Sequence, residues 1–232
     1  MKNIKILFVA LVLISTSVFG QTVKQKRAER QFNNFSFVKA INTYEKLIDT
    51  SFNKHYAMRK LGDAYIMLRQ PEKALEIYKE VVKQENVPSE YYLYYAQTLR
   101  ANGDYEASKK WMQKFKDAGN EKDSRVKRFF KNDDLASAIF NSSEKNTLQK
   151  LNINTKFNEF GAIELNDEII FSSSRDEGVS VKRLYAWDKQ PLLDLYKVSK
   201  EGGSVEGATP VEGSVNSIHH EGPATFSSDG TK

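Results

Sequence analysis

The 232-residue chain predicts an α+β multidomain protein: an α-solenoid of stacked helix pairs, then an incomplete β-propeller of about one blade plus the start of a second. Three observations carry this expectation. Residue types recur with a 34-residue step through the first half. The hydrophobic period changes from helical to alternating near residue 150. A phrase from the opening of the β half returns 61 residues later. The expected segments are an export signal (1–20), a helical array (21–119), a helical cap and linker (120–150) and a partial propeller (151–232).

The step of 34 links Ala28, Gly62 and Ala96, then Ala40, Ala74 and Ser108, then Tyr44, Tyr78 and Met112. This is the period of tetratricopeptide arrays, where each repeat is two antiparallel helices that bury their faces only by stacking on neighbours. The middle repeat carries the pattern best, with Met58, Leu61, Gly62 and Tyr65 on its first helix and Ala74 and Tyr78 on its second. Where helices cross closely, a side chain beyond a methyl would force the axes apart, so small residues sit at the crossing between large ones. Gly62 is therefore read as a packing glycine, whose helix-propensity cost of about 1 kcal/mol relative to Ala is offset by close approach. The proline usual near a repeat's end is displaced to Pro88 and missing from the first and third repeats.

Helix limits follow from local chemistry. Pro71 suits a first turn, Pro88-Ser89 reads as a stop and an N-cap, and Asn102-Gly103-Asp104 as a C-cap followed by a new start. The run from Tyr91 to Tyr95 reads as packing between repeats. Val126, Phe129 and Phe130 keep helical spacing within the charged segment Asn120 to Lys131, and Asp133-Asp134 could cap a short helix through Phe140. Together these read as a cap over the array's open end. Asn141 to Asn146 reads as a linker.

At the start, Lys2 and Lys5 precede the apolar run Ile6 to Ile14, and Ser17-Val18-Phe19-Gly20 offers small residues to a signal peptidase. The formal charge of +5 falls to about +3 once the two leader lysines are removed. No cysteine occurs, which rules out a lipid-anchored cysteine and any disulfide. Lysines are spread among glutamates with no basic block or arginine stripe, so a nucleic-acid partner is not expected. No transmembrane span is expected in the mature chain.

In the second half, alternation and β-branched or aromatic enrichment mark Ile153 to Phe157, Gly161 to Leu165, Glu168 to Ser173, Leu192 to Val198 and Val205 to Val211. Asn166-Asp167 and Gly202-Gly203 are the expected turns. Four short antiparallel strands in sequence fit one propeller blade. The segment from Gly222 to Gly230 then echoes Gly161 to Leu165 with its turn.

The string GPATFSSDGTK resembles the repeat of TolB-like, WD-type β-propellers, with its Pro, Phe-Ser pair and Asp-Gly turn. The phrases FGAIELNDEIIFSSSRD, RLYAWDKQPLLDLYKVS and NSIHHEGPATF are similar to the first blade in OmpA-family proteins of the Bacteroidetes group. That resemblance implies the order signal peptide, tetratricopeptide array, propeller, β-sandwich and C-terminal peptidoglycan-binding domain; one such protein belongs to the type IX secretion machinery. It implies an exported protein of the periplasm, associated with the outer membrane, binding protein or peptide partners of the cell envelope. Any peptidoglycan link would run through a C-terminal domain beyond Lys232, so the chain is expected to be a piece of a longer protein whose β half depends on further blades.

No catalytic, cofactor-binding or metal-ligating residue is assigned. Adjacent histidines at His219-His220 would point to opposite faces of a strand, His55 is isolated, and Ser172-Ser173-Ser174 lacks a nucleophile elbow. Arg175-Asp176 reads as a turn. The candidate site is the array's concave wall. Leu61, Gly62, Tyr65 and Leu68 mark the packed side of one helix, so Tyr56, Arg59, Asp63, Ile66 and Met67 turn the other way. The same offsets on neighbouring first helices select Phe32, Leu93, Gln97 and Arg100. In the tetratricopeptide family the matching positions line the ligand groove. The expected function is a non-enzymatic scaffold; the alternative is the N-terminal part of a propeller-bearing serine hydrolase. Cleavage after Gly20 should give an exported protein whose intact mass begins at Gln21, and a product that still begins at Met1 contradicts this.

Overall fold

Helix-forming stretches alternate with short stops through the first half, and each stop has a local cause. The computed structural model describes residues 20, 22–50, 53–132, 147, 150–175, 184–200 and 207–227. Outside them lie the expected export signal through residue 19, the helix from Asp133 through Phe140, the linker Asn141 to Asn146 and the turns at Gly202-Gly203 and Asp229-Gly230. Two compact units form, Met1–Glu144 with Ala186–Asp188, and Lys145–Tyr185 with Lys189–Lys232. Among the described residues they hold seven α-helices and one four-stranded antiparallel sheet, and no helix is long and apolar enough to cross a membrane.

The first unit runs α1 (22–33), α2 (Phe37–Asp49), α3 (Lys54–Met67), α4 (Pro71–Val81), α5 (Glu90–Ala101), α6 (Tyr105–Phe115) and α7 (Ser124–Lys131). Pro71 occupies the first turn of α4, where a missing N–H costs nothing. Gly103 at φ +85° ends α5, and the Asp104 carboxylate caps α6 by accepting from the Ala107 N–H at 3.0 Å. Asp123 caps α7 in the same way through Arg125 N–H at 2.8 Å. Ser89 stands at the N-cap position of α5 but does not cap it; its Oγ accepts from Asn120 Nδ2 at 3.2 Å instead. Asn120 also donates to the Phe115 carbonyl at 3.0 Å, satisfying the end of α6.

Every position of the 34-residue register is buried: Ala28, Gly62 and Ala96 on the first helices of the three pairs, with Ala40, Ala74, Ser108, Tyr44, Tyr78 and Met112 on the second. Three apolar clusters follow one another, one joining α1 to α3, one centred on α4 and α5, and one joining α5, α6 and α7. Val126 and Phe129 of α7 close the last cluster against Leu93, Met112 and Phe115. Ser108 carries a hydroxyl where its counterparts are alanines, and donates it to the Ala96 carbonyl at 2.7 Å.

In the second unit β1 (Glu159–Leu165), β2 (Glu168–Ser173), β3 (Asp194–Ser199) and β4 (Thr209–Pro210) pair antiparallel in sequential order. Asn166 takes the left-handed conformation at φ +54° in the tight turn between β1 and β2. Gly161, at φ +64°, lies in the bulge between Phe160 and Ile163. A Cβ there would stand 2.6 Å from Cβ of Pro223, so the two echoing phrases meet at this glycine. Residues 221–227 carry no strand.

Two strand expectations are corrected. Ile153 to Phe157 is not a strand, because its polar groups are drawn to side chains. The Ile153 carbonyl accepts from Arg175 Nη2 at 2.9 Å, and the Thr155 N–H donates to the Glu159 carboxylate at 3.0 Å. Of the expected strand Val205 to Val211, Val205 and Glu206 lie outside the described residues and Thr209–Pro210 is strand; the Leu195 backbone of β3 is met by the Val211 N–H at 2.9 Å and by the Asn216 amide. Its Oδ1 accepts from Leu195 N–H at 2.7 Å and its Nδ2 donates to the Leu195 carbonyl at 3.0 Å. Of the turn expected at Arg175-Asp176, Asp176 lies outside the described residues, and Arg175 is a buried cation, 2% exposed. Its Nε donates to Ser173 Oγ at 3.0 Å and its Nη2 to Glu159 Oε1 at 3.3 Å, while the guanidinium lies 5.0 Å from the Phe171 ring and 5.2 Å from that of Tyr196.

Gly62 is closely packed: a Cβ there would sit 2.4 Å from Cε1 of the buried Tyr78. Gly62→Ala gains about 1 kcal/mol of helix propensity and incurs about 1–3 kcal/mol of overpacking, since the ring is buried, 1% exposed. Urea unfolding of the full chain should show a lower midpoint for Gly62→Ala, and the loss should vanish in a Tyr78→Leu background. An unchanged midpoint in the parent background contradicts the packing role.

Candidate functional site

A groove of about 530 Å³ opens on the helical unit. Its walls come from two consecutive first helices at the same offsets: Lys60, Asp63 and Met67 on α3, and Tyr94, Gln97 and Ala101 on α5, each pair one 34-residue step apart. Helical spacing of three and four residues aligns each trio on one face. Phe32 of α1, Ile66 of α3, Tyr78 of α4 and Thr98 of α5 complete the lining. Ile66 and Met67 are exposed by 39% and 43%, which leaves apolar surface open at the rim.

Asp63 holds the floor. Its Oδ1 accepts from the Tyr78 hydroxyl at 2.9 Å, and its Oδ2 accepts from the Tyr91 hydroxyl and from Lys60 Nζ, each at 3.3 Å. Lys60 Nζ also lies 5.0 Å from the centre of the Phe32 ring. The carboxylate is thereby matched by one cation and two phenols, and the Gln97 amide is the exposed polar group on the opposite wall. Such a site has shape, apolar contact area and hydrogen-bonding capacity.

Five of the nine residues selected from sequence, Phe32, Asp63, Ile66, Met67 and Gln97, meet in this groove. The other four do not line it. Leu93 is corrected outright: it is 0% exposed, in the core formed by α5, α6 and α7. Its offset equals that of Arg59, whose long side chain escapes the same face by donating to Gln84 Oε1 at 3.0 Å and lying 5.9 Å from the Tyr91 ring. Arg100 sits 5.2 Å over the Phe129 ring of α7. Tyr56 packs against the first cluster, and burial first, then the Glu29 carboxylate, pushes its hydroxyl up to about 12. Sequence reasoning missed Lys60, Tyr78, Tyr94, Thr98 and Ala101. Applying the 34-residue step to Met67 would have found Ala101.

The other motifs resolve into local roles. His220 Nδ1 accepts from the Leu193 N–H at 3.1 Å, and the ring meets Tyr185 edge-on at 4.6 Å. Glu221 accepts from the Ser217 N–H at 3.0 Å. Ser173 Oγ is bound to Arg175. Among the described residues no three His, Asp or Glu side chains gather where they could hold a metal ion. No protein-family model matches this chain, and no curated protein matches it.

The buried phenols make the unit sensitive to alkali. Burial first, then the Asp63 carboxylate, raises the Tyr78 and Tyr91 hydroxyls above their ordinary value, and burial with Glu45 takes Tyr65 to about 12. The folded state favours the neutral phenol, so this stabilisation is complete below the unfolded value of about 10 and is lost as pH rises above it. An alkaline titration should show helix content lost in a steep step above pH about 10, accompanied by the tyrosinate absorbance of the buried phenols. Gradual ionisation with helix retained contradicts it.

Proposed function

We propose that the helical unit is a tetratricopeptide-type scaffold that binds an extended or helical segment of a partner protein. The observation that carries this is the groove itself: residues chosen by a repeat offset, Phe32, Asp63, Ile66, Met67 and Gln97, surround one concavity with exposed apolar rims. An apolar side chain of the partner would rest on Ile66 and Met67, with its backbone within reach of the Gln97 amide. The buried 34-residue register supports the array. The four-stranded sheet in sequential order supports the reading of the β unit as one propeller blade, with the Gly222 phrase opening the next. On the resemblance of its phrases, the protein is proposed to serve in the periplasm at the outer membrane, as part of an OmpA-family envelope protein.

Site-specific photocrosslinking in the exporting cell tests it. A photoreactive residue at Gln97 should capture a defined partner, one at the exposed Lys110 on α6 should not, and Met67→Asp should lower capture from Gln97 by about tenfold or more. Equal capture from both positions, unaffected by Met67→Asp, rejects the groove.

A further inference from the structure

The first helix pair carries a second concavity, unrelated to the groove above. Helices α1 and α2 face each other across a trough of about 450 Å³. Lys24 and Arg27 stand on the α1 wall, and Lys39 and Lys46 on the α2 wall; all four are exposed. No carboxylate lines the trough, and none of the four takes part in an ion pair among the described residues. Between the walls the Thr43 hydroxyl donates to Gln31 Oε1 at 2.8 Å, which leaves the Gln31 amide nitrogen as a donor.

The repeat register shows what is unusual about this face. Lys24, Arg27 and Gln31 stand one step before Met58, Leu61 and Tyr65 and two steps before Tyr92, Tyr95 and Leu99. In the later pairs that face is apolar and belongs to the clusters formed with neighbouring helices. In the first pair it is polar, and its charge has one sign. A surface built only to meet water mixes both signs, whereas cations alone create a field that draws in negative charge. Each wall spans two helical turns, about 10 Å, a span that carboxylates on two turns of helix or a short extended segment can match. A flat bilayer does not fit a concave trough, and no large apolar side chain lines it to insert into lipid.

We propose that this trough docks an acidic peptide segment of a protein partner, several Asp or Glu carboxylates pairing with Lys24, Arg27, Lys39 and Lys46. The full chain should bind a fluorescent octaglutamate peptide at low salt and not an octaglutamine of the same length, with affinity falling as salt is added. The pairs Lys24→Glu/Arg27→Glu and Lys39→Glu/Lys46→Glu should each weaken binding by about tenfold or more, and the control pair Lys79→Glu/Lys110→Glu by less than about twofold. If a reversed pair fails to fold by circular dichroism, Lys24→Gln/Arg27→Gln must show the loss instead. Octaglutamate binding that both trough pairs leave intact, or that the control pair weakens equally, overturns the proposal. So does a trough-dependent preference for inorganic polyphosphate or phosphatidylglycerol vesicles over the peptide.

Discussion

The helical unit depends on the approach of α3 to α4 at Gly62. With no side chain there, the Tyr78 ring approaches the Gly62 backbone closely, and its hydroxyl arrives at Asp63 one residue along α3. The same carboxylate receives the Tyr91 hydroxyl of α5. One missing methyl thus lets one anion tie three helices together, and hydrogen bonds to a charged group contribute about 1.5–3 kcal/mol each. The anion is tolerated at partial burial because Lys60 stays close and both phenols donate. Lys60, Asp63 and Tyr78 also line the groove, so the residues that pack these helices shape its surface.

The β unit solves a related problem with the opposite charge. A guanidinium lies against two rings of its small apolar core, Ile153, Phe171, Tyr196, Val198 and Ala208, with the Glu159 carboxylate as its ion-pair partner. Arg175 suits that place because its planar cation stacks on aromatic faces and carries several directed donors. It reaches Ser173, Ile153 and Glu159, so the irregular approach to β1 is fastened to the end of β2.

Local chemistry and period made much of this legible. The 34-residue step located the buried positions of three helix pairs, Gly103-Asp104 located a helix boundary, and Glu168 to Ser173 was bounded as observed. What stayed hidden needed tertiary partners. Leu93 reads as outward by offset and is covered by Met112 and Phe115 of α6 with Val126 and Phe129 of α7. Ile153 to Phe157 has strand composition, yet Arg175, some twenty residues later, consumes its backbone. Asn216 imitates a strand edge with its side chain, which no period reveals. The cations of the trough are dispersed along the sequence and gather only when α1 and α2 pack.

The seat of Pro223 on Gly161 bears on the order in which the β unit assembles. The neighbouring strands β1, β2 and β3 follow one another along the chain, and the turn joining β1 to β2 closes a very short loop. The contact at Gly161 must close a loop of about sixty residues, and such closure costs more chain entropy and comes late. During synthesis the first hairpin can therefore form while its bulge stands open, waiting for the Gly222 phrase to leave the ribosome. The bulge at Gly161 thus ties the Gly222 phrase to the first strand through a contact that spans most of the unit's sequence.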